Sequence, residues 1–302
     1  MKHQNKAYIY ALTATLLWST IGTAFKLTLR YISFADLLLI ASLTSVFVLF
    51  LGLLSTGKIV LLKSLKRNDY LKAATLGALN PFLYYLVLLK AYELLLAQEA
   101  GTLNYIWPVV LVLLSIPLLR QKIGWLSVAA VLISFSGTII IGTRGKLLEL
   151  QFGNPVGVML AVASAVFWAL FWIFNVKDKK DELVKLFLNF CFGSLFVLFY
   201  VIFTSGLKVP NILGLTGAVY AGIIEMGITY ILWLKALQLS ATTAKVSNMV
   251  YLSPFISLII IRFVVGEQIL LSTIIGLMLI IGGITMQQLI PKPKVTTNDK
   301  HH

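Results

Sequence analysis

The sequence predicts an all-α integral membrane protein of ten transmembrane helices, arranged as two inverted five-helix repeats. Three observations carry that expectation. Hydrophobic residues fill 59% of the 302 positions and charged residues 12%, and mean hydropathy is +0.93. A water-soluble domain of this length needs far more polar surface. Apolar runs of bilayer-spanning length recur along the chain with short polar breaks between them. Short motifs also return in the same order in the second half, at a nearly constant spacing.

A helix needs about 20 apolar residues to cross the hydrocarbon core. The first run, about 7–25, closes at Lys26 and Arg30. It is long, lacks a small-residue cleavage site and leads directly into further runs, so it reads as a retained helix and not a signal peptide. The second, about 33–55, ends before the basic stretch "KIVLLKSLKRNDY". The third, about 70–90, contains "ALNPFLYY", where Pro81 is expected to kink the helix and Asn80 to repair its backbone. The fourth, about 97–119, carries "NYIWP" near its middle, and the fifth, about 125–142, closes at Arg144 and Lys146. The sixth, about 155–175, runs into "KDKKDELVK" at 177–185. The seventh and eighth, about 184–204 and 211–234, include Cys191 and Glu225 respectively. The ninth, about 241–264, carries "SNMVYLSP", and the tenth, about 270–290, precedes a polar tail expected to be disordered, 291–302. Short connections make neighbouring segments antiparallel hairpins.

Alternate connections differ in charge. Of 25 Lys and Arg residues, 17 fall on the side of the N-terminus and 7 on the other, with Lys245 inside the ninth segment. The positive-inside bias then puts both termini in the cytoplasm. The connection 176–183 becomes a cytoplasmic link between the halves. The net charge of +14 is accounted for by this orientation, so no nucleic-acid partner is expected.

"YIWP" at 105–108 matches "YLSP" at 251–254 with an offset of 146, which also aligns "RQKIGWLS" from Arg120 with "GEQILLST" from Gly266. "LLKAY" at 88–92 resembles "WLKAL" at 233–237 at an offset of 145, and "TLLW" ending at Trp18 resembles "AVFW" ending at Trp168 at 150. The repeats are therefore bounded at 1–146 and 147–290. Five helices per repeat is an odd number, so the second copy enters from the opposite face and a two-fold axis lies in the membrane plane. Such folds bind substrate near the midplane, at interrupted helices. Pro108 and Pro254 mark the repeat-related pair of interrupted segments, and Pro81 a further break.

With these residues in hand, the chain resembles the EamA-type members of the drug/metabolite transporter superfamily, over essentially its whole length. The resemblance rests on "TLLWST" in the first segment, the proline of the fourth, and above all "GEQILLSTIIGLMLIIGG" at 266–283. The first repeat departs from the pattern, with "RQKIGW" where an acidic residue often stands. "NYIWP" looks like the branch containing amino-acid exporters. The resemblance implies an inner-membrane transporter with a central cavity lined by segments 1, 3, 4, 6, 8 and 9. Segments 5 and 10 would pack peripherally, which permits either a monomer or a homodimer.

Glu225 is the one acid well inside a predicted span, where an ionisable group is a functional candidate by default. It is placed to exchange protons or meet a substrate ammonium group, against the simpler role of a carboxyl locked to a neighbour such as Lys245. Lys245 corresponds to Glu99 under the 146 offset, so the two are candidates for a gate latch or for substrate contacts. Snorkelling explains Lys245 nearly as well, and for Glu99 and Glu93, near the end of a hairpin, solvation is the simpler reading. Trp18, Tyr84, Tyr105, Trp107, Trp168, Tyr230 and Tyr251 offer aromatic surface to a pathway, while Asn80, Asn104, Ser247 and Asn248 offer hydrogen bonds. Trp125 and Tyr31 fit interfacial anchors instead.

These features favour a secondary transporter of small organic metabolites, with amino acids or related compounds preferred and efflux the expected direction. A facilitator without ion coupling is the alternative. Enzymatic catalysis is not expected: His3, His301 and His302 all lie in the tails, and no nucleotide-binding motif appears. No cofactor or metal site is expected, and the lone Cys191 can form no intramolecular disulfide.

Overall fold

A computed structural model of the chain describes residues 2–119, 125–146, 153–178, 180–240 and 248–289. Among them every regular element is helical. In chain order these are α1 Lys2–Thr28, α2 Phe34–Ser55, α3 Arg67–Leu94, α4 Ala97–Asn104, α5 Trp107–Leu119 and α6 Trp125–Gly142. They continue as α7 Pro155–Lys177, α8 Glu182–Thr204, α9 Ile212–Leu239, α10 Ser253–Ile260 and α11 Leu271–Leu289. Among the described residues six stretches are long and apolar enough to cross a membrane: α2, α3, Ala97–Leu118 spanning α4 and α5, Pro155–Asn175, α8 and α9. Val128–Gly142, Met249–Val265 and Leu271–Met286 are apolar but shorter.

Helix starts follow local chemistry. Ser33 caps α2 by accepting from the Asp36 amide, and Asn154 caps α7 by accepting from Gly157, with Pro155 in the first turn. Asp181 caps α8 and Asn211 caps α9. In each case a short polar side chain satisfies an amide that the helix itself leaves unpaired.

α1 is less apolar than α9 and α10, against which it packs. Its buried stripe is small, with Ala7, Ala11, Ala14, Thr15 and Ser19 at 0% exposure. Small residues at helical spacing let backbones approach closely where lipid supplies no hydrophobic drive, and this stripe packs against α9 near Trp233 and Ala236. The main helix pairs are α6 with α11, α2 with α8, α1 with α9, α3 with α7, α2 with α9, α3 with α8, α1 with α10 and α5 with α7. The set is unchanged when α1, α2, α3, α5 and α6 are exchanged for α7, α8, α9, α10 and α11.

Two helices are interrupted mid-length by wide π turns. In α3 the turn covers Ala78–Leu83, and Asn80 leaves helical geometry at φ −150°, ψ 118°. Proline at 81 supplies the reason: it has no N–H to give, and it disfavours helical geometry in the residue before it. In α9 the turn covers Ile224–Ile228 without any proline. There the Ser45 hydroxyl of α2 donates to the Met226 carbonyl at 2.6 Å, supplying a partner that an apolar surrounding could not.

The fourth segment, expected to be interrupted at Pro108, breaks just before that residue. α4 ends at Asn104, the chain turns at Tyr105 and Ile106, and α5 restarts at Trp107. Pro108 thus sits in the first turn of a new helix, where its missing N–H costs no hydrogen bond. The later copy behaves alike: a 3-10 turn at Asn248–Leu252 precedes α10, whose first turn holds Pro254.

Candidate functional site

Two hydrogen bonds cross between α3 and α9, each joining a residue of one π turn to a tyrosine just beyond the other. The Tyr85 hydroxyl donates to Glu225 Oε1 at 2.9 Å, and the Asn80 amide nitrogen donates to the Tyr230 hydroxyl at 3.4 Å. Asn80, Tyr230, Tyr85 and Glu225 therefore form a polar cluster of two hydrogen-bonded pairs linking α3 and α9. The 145 offset that aligns "LLKAY" with "WLKAL" also aligns Asn80 with Glu225 and Tyr85 with Tyr230. The two cross-helix bonds are images of one another, with an amide at one corner and a carboxyl at the other.

Each corner keeps one oxygen unused. Asn80 is 0% and Glu225 9% exposed, and neither Asn80 Oδ1 nor Glu225 Oε2 has a hydrogen-bond partner. A buried acceptor without a donor is expensive, so a pair of them at matching positions calls for an explanation.

Aromatic rings surround this cluster. Trp168 lies 4.7 Å from Tyr84 and 6.1 Å from Tyr230, and Trp18 lies 6.4 Å from Tyr230, measured between ring centres. Tyr84 donates to Asn104 at 3.3 Å, and Asn104 donates in turn to Ser164 at 2.8 Å. The structure thus brings Trp18, Asn80, Tyr84, Asn104, Trp168, Glu225 and Tyr230 into one neighbourhood. Pro81 is buried beside them against Gly193 of α8, where an added Cβ would stand 2.4 Å from the proline ring.

The broken helices meet nearby. The Tyr105 hydroxyl donates to the Val250 carbonyl at 3.3 Å, joining the turn between α4 and α5 to the 3-10 turn before α10. Ser19 of α1 donates to Ser253 at 3.3 Å, beside buried Pro254. Trp107 and Tyr251 are half-buried and pack against the core. Asn248 opens the 3-10 turn. Lys245 and Ser247 lie outside the described residues, so the alignment of Lys245 with Glu99 acquires no geometry here.

Glu99 differs from the solvated carboxylate that its place near a hairpin end suggested. It is 3% exposed and accepts from Arg144 Nε at 2.6 Å and Nη2 at 3.2 Å. Arg144 stands after α6, distant in sequence, so no local pattern announces the pair. Beside it, Glu267 accepts from the Ala97 and Gln98 amides at 2.8 and 3.3 Å, and Lys26 donates to the Tyr92 and Leu95 carbonyls at 2.8 and 2.5 Å. The turn between α3 and α4 is thus held by residues from three other parts of the chain. Tyr85, Ser164, Arg144 and Glu267 were not singled out from the sequence. For Tyr85 the signal existed, since the same offset that exposes the repeat superposes it on Tyr230.

An interior polar cluster, interrupted helices and many bilayer-length segments are features of a protein that moves solutes. The model of the EamA-like transporter family matches residues 5–143 and 155–287. The chain belongs to this family. It is a multi-pass membrane transporter by that membership. It is 25% identical over 282 residues to an uncharacterized transporter of Archaeoglobus fulgidus, covering 92% of this chain and 97% of that protein. To an uncharacterized transporter of Clostridium kluyveri it is 28% identical over 178 residues, a match spanning only 55% of each. The uncharacterized transporter YvbV of Bacillus subtilis is 24% identical, over 69% of this chain and 68% of its own length. A solved crystal structure of a protein at 22% identity superposes with a TM-score of 0.65, covering 94% of this chain and 99% of that one; this likeness speaks to the fold alone.

Proposed function

We propose that the protein is a secondary transporter of small organic metabolites, amino acids and related compounds foremost, acting in efflux by alternating access. In this reading the chain crosses the inner membrane ten times, with 1–146 and 147–290 as inverted repeats and both termini cytoplasmic. The observation that carries it is the crossed pair of hydrogen bonds, Tyr85 to Glu225 and Asn80 to Tyr230, at positions equivalent under the repeat. A polar cluster shared between equivalent helices sits where two repeats would rock past one another. The helix pairing, unchanged when the halves are exchanged, supports the same arrangement.

The test is uptake of a labelled amino-acid panel into proteoliposomes, with and without a pH gradient. Accumulation that follows the gradient supports ion-coupled transport. Uptake that only equilibrates, gradient or not, assigns the protein to facilitated diffusion. Uptake of no amino acid removes that substrate class.

A further inference from the structure

The unused oxygens of Asn80 and Glu225 specify what they would accept. We infer that the central cluster is the docking point for a primary or secondary ammonium group attached to an apolar or aromatic body. Four observations on the chain lead there, and the inference rests on the transporter reading above.

Glu225 is the only carboxylate in the cluster, and its Oε2 is buried without a donor. A ligand that brings positive charge compensates the carboxylate and supplies the missing donor together. Asn80 Oδ1, at the repeat-equivalent corner, is a second buried acceptor without a donor. Two free acceptors ask for a ligand with more than one N–H. A quaternary ammonium has the charge but no N–H, and so leaves both oxygens unsatisfied.

The surrounding rings define the rest. Tyr84, Trp168, Tyr230 and Trp18 approach one another at 4.7 to 6.4 Å around the cluster. Aromatic faces attract cations and bury apolar bodies. The four-residue set is also poor in oxygens for Ca2+ or Mg2+, which take six or more ligands. No group of three His, Cys, Asp or Glu suited to a metal occurs among the described residues. An anionic group would meet Glu225 as a like charge. An amino acid satisfies the inference only through its ammonium end.

The experiment is isothermal titration of the purified full chain, in lipid nanodiscs, with three isosteres: 2-phenylethylamine, its N,N,N-trimethyl derivative and 3-phenylpropanoate. Glu225→Gln in the same lipid serves as the partitioning control. The amine is expected to bind, the trimethyl derivative about tenfold or more weaker, and the carboxylate not measurably. Glu225→Gln is expected to weaken the amine by about 10- to 100-fold, the range for a charge-assisted bond. Equal binding of amine and trimethyl derivative overturns the inference. So does amine binding that Glu225→Gln leaves unchanged, or no amine binding at all. If Glu225→Gln fails to fold, the ligand series on the unaltered protein decides. Proteoliposome uptake by the same preparation separates the two levels: solute uptake without amine recognition discards this inference and leaves the transporter standing.

Discussion

Arg144 and Glu99 show how much a single buried charge depends on a distant partner. Glu99 is 3% exposed, and among the described residues it accepts, besides Arg144, only from the Leu96 amide, at 3.1 Å. Arg144→Ala leaves that carboxylate buried with one donor. The Arg144 side chain is itself 44% exposed, which screens the pair. The expected loss is therefore about 1–3 kcal/mol, the range for charge-assisted bonds and below that of a fully buried pair. It is read as a lower unfolding midpoint in detergent. Glu99→Gln in the Arg144→Ala background should recover part of it. Strictly additive effects of the two changes would mean that the pair does not couple. The sequence placed both residues near one membrane face but not against each other, because their contact closes across helices α4 to α6.

At the scale of elements, the pairing of α6 with α11 depends on glycine. A Cβ at Gly137 would stand 2.5 Å from the Gly276 carbonyl, one at Gly276 2.4 Å from Ile141, and one at Gly283 2.2 Å from Ser134 Oγ. Within membranes such close approach replaces the hydrophobic drive that water supplies elsewhere. Gly276→Val should force the helices apart and destabilise by about 1–3 kcal/mol, the usual cost of overpacking. Gly282→Ala should be silent, since nothing lies within 4 Å of its Cβ position. Thermal stability followed by size-exclusion chromatography separates the two. Equal effects would show that the neighbouring glycine pair acts through backbone flexibility instead. The breaks at 105–106 and before Pro254 belong to this scale as well. Each proline marked the place, but a proline inside an apolar run fits a kink as well as a restart. The tertiary contact from Tyr105 to Val250 accompanies the restart.

For the whole molecule, ion pairs tie the connections together. Lys58 pairs with Asp181 at 2.6 Å and Lys180 with Asp69 at 2.5 Å, joining the stretch between α2 and α3, and the first turn of α3, to the stretch between α7 and α8. Arg144 with Glu99 joins the end of α6 to the start of α4. Single cysteines test the orientation in a Cys191→Ala background. Lys208→Cys should react with a membrane-impermeant thiol reagent in intact cells, and Lys63→Cys only after permeabilisation. The reverse pattern would invert the proposed topology.

Composition and apolar run length dictated a helical membrane protein, because a bilayer leaves a spanning chain few ways to satisfy its backbone. Motif spacing predicted the repeat, and the same 145 offset, applied to the structure, relates Asn80 to Glu225. Only the tertiary structure decided that Tyr85 meets Glu225 while Asn80 meets Tyr230, that Glu99 is buried on Arg144, and that α9 widens into a π turn without a proline. Those outcomes depend on how each helix is rotated and on which distant side chain supplies the missing donor. Lipid and protein interior are equally apolar, so hydrophobic periodicity carries little information about rotation in a membrane, and the packing of small residues sets it instead.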